Sequence, residues 1–125
     1  MRAALALLGA AKPGPGGRRI AVIGDMLELG PQGAELHAAL APELAANDVD
    51  LLFGAGPLTR ALYDAAPANL RAAHAERADA LREQLMTAIR AGDVVMIKGS
   101  NGSRMGPLAA ALREFSPPAA TGARL

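Results

Sequence analysis

Val94, Val95, Met96 and Ile97 are four consecutive apolar residues, bounded by Gly92-Asp93 before and by Lys98-Gly99 after. The run is too short for a helix and shows no polar alternation, so it reads as a buried strand covered on both faces, as in parallel sheets. Ligands of open parallel sheets sit just beyond the carboxyl ends of the strands. Lys98, Ser100, Asn101, Ser103 and Arg104 follow this strand directly, with Gly99 and Gly102 between them. Two cations, two hydroxyls, an amide and two glycines suit an anion. The glycines allow successive N–H groups to turn into one concavity, and the next helix would aim its positive end there.

The rest of the chain alternates helix and strand. Met1, Leu5 and Leu8 mark a first helix ending near Gly9, and Pro13 to Gly17 form a connector. Arg18 to Gly24 reads as a strand, followed by an irregular G-D-M-L-E-L-G segment over 24–30. One helix is expected from Pro31 to about Asn47, laying Leu36, Leu40 and Leu44 on the sheet. Val49 to Phe53 is the second strand, Pro57 to Ala66 the next helix and Arg71 to Ala75 a weak strand at a sheet edge. Ala78 to Arg90, with Leu81, Leu85 and Ile89 on one face, and Pro107 to Phe115 complete the helices. The pattern predicts an α/β fold: a Rossmann-like three-layer domain, a mostly parallel sheet with helices on both faces and right-handed crossovers. The domain is expected over 1–116, with 117–125 a disordered tail of proline, alanine and glycine.

Composition excludes several functions. The absence of cysteine rules out disulfides and thiolate metal sites and fits a reducing cytoplasm. A formal charge of +1 provides no field for nucleic acid or anionic membrane, and one tyrosine with two phenylalanines gives no stacking platform for bases. Met1 to Ala11 reads as a helix that starts without a cap, in preference to a secretory leader. No phosphate loop G-x-x-x-x-G-K-[ST] occurs, since the only Lys-Gly-Ser runs in the opposite order. Gly54-Ala55-Gly56 lacks the third glycine of a dinucleotide fingerprint and reads as a tight turn.

Each candidate residue has two readings. Lys98 either holds a carboxylate or phosphoryl oxygen or is a surface lysine at a strand end. Ser100 and Asn101 donate to the same anion or cap the Arg104 segment. Asp25 and Glu28, just past another strand, orient a ligand amine or a magnesium-bound water, or serve as turn charges; two carboxylates alone make no metal site. His37 reads as a packing or capping residue, and His74 as an edge-strand residue without a role.

K-G-S-N-G-S-R-M over 98–105, G-D-M-L-E-L-G over 24–30 and His37 together resemble the C-terminal domain of the Mur ligases, with the likeness running from Met1 to about Phe115. Many relatives carry an arginine directly after Lys-Gly-Ser, where this chain has Asn101, with Arg104 three positions on. The resemblance is to the branch that joins D-alanyl-D-alanine to UDP-N-acetylmuramoyl-tripeptide in peptidoglycan precursor synthesis. It implies that ATP and magnesium are held mainly by a central domain outside this chain, that ATP phosphorylates the tripeptide carboxylate, and that the dipeptide amine attacks the acyl phosphate. It assigns substrate binding to Lys98, Ser100, Asn101 and Arg104, and domain closure or ligand orientation to Asp25 and Glu28. Catalytic residues and a metal site are expected to lie elsewhere, so this chain alone should be inactive. The rival readings are a free-standing nucleotide or anion binder of Rossmann type and a structural interaction domain.

Overall fold

The computed structural model describes residues 1–100 and 104–114, apart from the side chains of Glu28 and Leu29. Six helices and four strands alternate: α1 Arg2–Ala10, β1 Arg19–Gly24, α2 Gly33–Ala38, α3 Ala41–Ala46, β2 Leu51–Ala55, α4 Thr59–Ala65, β3 Arg71–Ala75, α5 Arg82–Ala88, β4 Val94–Lys98 and α6 Met105–Arg113. Short 3₁₀ turns precede α2, β3 and α5. The sheet order is β3-β2-β1-β4 and every pairing is parallel.

Two apolar clusters show why β1 and β4 carry no polar alternation. Ala21, Ile23 and Leu52 bury against Leu5 and Leu8 of α1, Leu44 of α3 and Leu62 of α4. Ile20, Val22 and Phe53 bury on the opposite face, against Leu81, Leu85, Met105 and Leu108 around α5 and α6. Val94 and Met96 of β4 join the first cluster, Val95 and Ile97 the second. Helices therefore cover both faces, as the apolar run implied, but β4 is the edge of the described sheet and is only half-buried. Periodicity reports covered faces and is blind to a missing lateral neighbour.

The single helix expected over 31–47 is broken in two. Pro42 has no N–H to offer the Ala38 carbonyl, and the chain passes through short turns in which Leu40 N–H donates to His37 O and Glu43 N–H to Leu40 O. The break turns Leu36 outward, 45% exposed, and buries His37 in its place. Two further boundaries move: β2 runs on to Ala55, so Gly54 is a strand residue, and α5 ends at Ala88. Phe115 and the predicted tail lie outside the described residues.

The amino edge of the sheet is closed by one ion pair. The Asp93 carboxylate accepts from Arg18 N (2.9 Å), from the Arg18 guanidinium (2.9 and 3.3 Å) and from Arg90 N (2.8 Å). This clasp ties the start of β1 to the turn before β4.

Candidate functional site

Strand order places the crevice. The connections from β1 to β2 and from β2 to β3 pack on the α1 face, whereas the β3–β4 connection runs through α5 on the other face and brings β4 to the far side of β1. The loops after β1 and β4 therefore leave toward opposite faces, which is the switch point at which open parallel sheets bind ligands. These are the loops of the two sequence motifs. They are tied to one another: Ser100 N–H donates to the Asp25 carbonyl at 3.1 Å, and Leu27 N–H donates to Ser100 Oγ at 3.0 Å.

The Asp25 carboxylate turns away from solvent, 3% exposed. It accepts from Leu58 N (3.0 Å), Thr59 N (2.7 Å) and Thr59 Oγ1 (2.7 Å) at the start of α4. An anion held by the unpaired N–H groups of a first helical turn satisfies donors that the helix itself cannot. Gly56 makes the approach possible: its φ is +111°, and a Cβ there would overlap the Asp25 carboxylate. Gly56 N–H donates to Ala75 O (2.8 Å), and His74 Nε2–H donates to Gly56 O (2.8 Å), with the His74 ring tilted against Tyr63 at 5.7 Å. His74, expected to be idle, thus pins the turn that holds Asp25.

His37 is fully buried and fixes the same loop from below. Met26 N–H donates to Nε2 at 3.1 Å, which leaves the proton on Nδ1 for Gly33 O at 2.6 Å.

The two cations among the predicted substrate-binding residues, Lys98 and Arg104, leave toward opposite sides of the sheet. Lys98 is exposed at the end of β4, and strand alternation puts it on the side of Val94 and Met96, toward α1. Arg104 begins α6 on the opposite side, with the left-handed backbone angles φ 59° and ψ 38°. Asn101 and the Glu28 side chain lie outside the described residues.

Arg104 and Asp25 instead line a cleft of about 660 Å³ over the carboxyl ends of the strands, on the α5–α6 side. Its far wall, from Glu76 to Asp79 together with Arg82, contains charges that motif reading did not single out. Only the crossover that returns the chain from β3 to the opposite edge brings these residues there. Arg77 pairs with Asp79 at 3.1 Å and holds the Asp79 carboxyl below its ordinary value.

A parallel sheet covered on both faces by helices, with two linked loops at its switch point and a charged cleft beside them, defines a Rossmann-like domain. The family described as "Mur ligase, glutamate ligase domain" matches residues 1–101, and the chain belongs to that family as a Mur ligase C-terminal domain. It is 28% identical over 105 residues to UDP-N-acetylmuramoyl-tripeptide–D-alanyl-D-alanine ligase of Rickettsia prowazekii (strain Madrid E), covering 84% of this chain and 23% of that protein. Among solved structures, MurF from Acinetobacter baumannii superposes with TM-score 0.72 at 28% identity, over 91% of this chain and 24% of the other. MurF ligase from Thermotoga maritima in complex with ADP superposes with TM-score 0.60 at 25% identity, over 75% and 21%. The chain thus spans about a quarter of the length of these relatives. Among the described residues no helix is long and apolar enough to cross a membrane.

Proposed function

We propose that this chain acts as the C-terminal domain of an ATP-dependent cytoplasmic ligase that joins D-alanyl-D-alanine to UDP-N-acetylmuramoyl-tripeptide. The observation that carries the reading is the pair of hydrogen bonds linking Asp25 and Leu27 to Ser100, which holds both family motifs at the one crevice the topology creates. ATP supplies the phosphoryl group that activates the tripeptide carboxylate. The residues here do not fit a nucleotide's phosphates: Lys98-Gly99-Ser100 reverses the order of a phosphate loop, and Asp25 already occupies the start of α4. On this reading ATP and magnesium are held mainly by the central domain. This chain contributes orientation of the dipeptide and exclusion of water when it closes over that domain, with Lys98, Ser100, Asn101 and Arg104 toward substrate and Glu28 on the closing loop that Asp25 anchors from inside.

The test is ADP formation by the full-length ligase with tripeptide present. Formation should require D-alanyl-D-alanine, and a ligase indifferent to the dipeptide would refute the reading. In the same enzyme Lys98→Ala should lower dipeptide-dependent turnover by about tenfold, the scale of one charge-assisted donor. Unchanged kinetics would make Lys98 a surface residue. The 125-residue chain alone should melt cooperatively, because both faces of its sheet are covered by its own helices, and hydrolyse no ATP, because its sequence contains no phosphate loop. Magnesium-dependent hydrolysis lost on Lys98→Ala would point to a free-standing enzyme.

A further inference from the structure

His37 is a fully buried polar side chain whose two ring nitrogens are both spent on backbone groups. Nδ1–H donates to Gly33 O, one turn back in its own helix, and Nε2 accepts from Met26 N–H in the loop after β1. A leucine would fill such a site with no polar atom to satisfy. What the imidazole adds to packing is an acceptor aimed at Met26.

That aim matters because of what lies at the other end of the same peptide bond. Met26 N–H and Asp25 C=O belong to one planar trans unit, so they point in opposite directions. The Asp25 carbonyl accepts from Ser100 N–H at 3.1 Å. Turning the N–H toward His37 therefore turns the carbonyl toward the loop after β4. The neighbouring anchors fix atoms outside this plane: the Asp25 carboxylate is held by Leu58 and Thr59, and Leu27 N–H, which donates to Ser100 Oγ, belongs to the next peptide unit. The hydrogen bonds also run in one sense. Ser100 N–H donates to Asp25 O, Met26 N–H to Nε2 and Nδ1–H to Gly33 O, an arrangement in which each bond polarises the next.

We propose that His37 is a positioning residue for the ligase reaction: it orients the Asp25–Met26 peptide and, through it, the Ser100 end of the Lys98 loop. It touches no substrate, and the effect travels from α2 to the crevice through one peptide plane. The inference rests on the ligase reading above and adds to it a residue two hydrogen bonds away from the substrate loop.

Three substitutions separate this role from packing. A glutamine amide reaches the place of Nε2 and can accept from Met26, an asparagine amide reaches only the place of Nδ1 and keeps the Gly33 bond, and leucine keeps neither. In the full-length ligase His37→Leu and His37→Asn should lower kcat/KM for D-alanyl-D-alanine about tenfold, the scale of one buried donor left without its acceptor, with a raised KM for the dipeptide and an unchanged KM for ATP. His37→Gln should stay within about threefold of wild type. A smaller folded fraction lowers turnover without moving either KM, so loss of kcat alone with a lowered melting temperature would overturn the inference in favour of a purely structural histidine. So would rescue by asparagine as complete as by glutamine, or a leucine variant with wild-type kinetics. The relay is also read without any activity, in proton–nitrogen spectra of the 125-residue chain. The Ser100 amide proton should shift upfield in His37→Asn and hold its place in His37→Gln. A Ser100 amide indifferent to both variants would sink the relay and leave the ligase reading standing, whereas a wild-type ligase indifferent to the dipeptide would refute the ligase reading and with it the positioning role.

Discussion

Asp25→Ala is expected to lower the melting temperature of this chain by roughly 10–15 °C, corresponding to about 3 kcal/mol for a domain of this size. The carboxylate satisfies two backbone N–H groups and the Thr59 hydroxyl at a site closed to solvent. Removing a helix cap costs about 1 kcal/mol, and each buried donor left without an acceptor adds a comparable amount. Asp25→Asn should be milder, since its remaining oxygen can still accept, while its amide would face N–H groups with the wrong polarity. The family resemblance assigns Asp25 and Glu28 to domain closure or ligand orientation, surface roles in which a side chain can be replaced without loss of folding. Burial reverses that expectation for Asp25. Thermal melts of wild type, Asp25→Ala and Asp25→Asn decide it, and a loss below about 3 °C for alanine would show that water replaces the carboxylate without cost.

The same residue shows what a sequence read alone can and cannot yield. Its position one step past a strand is local information, carried by the apolar run that ends at Gly24. The direction of its side chain is not, because its partners lie more than 30 residues on, at the start of a helix positioned only when β2 pairs with β1. Strands and helices were legible for the same reason that Asp25's placement was: periodicity and glycine boundaries are written within each segment. Pro42 also carried a readable signal, since a proline inside a helical pattern predicts the break that exposes Leu36 and buries His37. The i, i+4, i+8 spacing of Leu36, Leu40 and Leu44 points the other way, toward one unbroken helix. Glu76 and Arg82 had no local signature at all. They face Arg104 across the cleft because β3 and β4 occupy opposite edges of the sheet, so the charge pattern exists only in the folded chain.

Asp93→Asn should cost about 2–3 kcal/mol at neutral pH, and the cost should disappear in acid. The Asp93 side chain is fully buried and its Arg18 partner a quarter exposed, so the pair resembles a buried salt bridge, in which losing one partner is expensive. Burial alone would raise the Asp93 pKa. The Arg18 side chain and the N–H groups of Arg90 and Arg18 outweigh it, and the carboxyl is held below its ordinary value of 3.8. A carboxylate whose folded pKa lies below its unfolded one binds its proton more readily when unfolded. Its contribution to stability is therefore complete above about pH 4 and declines as pH falls through the folded value. Asparagine has no such proton to bind, so the gap in unfolding free energy between wild type and Asp93→Asn should be widest at pH 7 and narrow below pH 4. Urea titrations of both proteins at pH 7, 5, 4 and 3 measure it directly. A gap that stays constant across the series would mean that the clasp works through shape and neutral hydrogen bonds, and that the charge on Asp93 contributes nothing to joining β1 to β4.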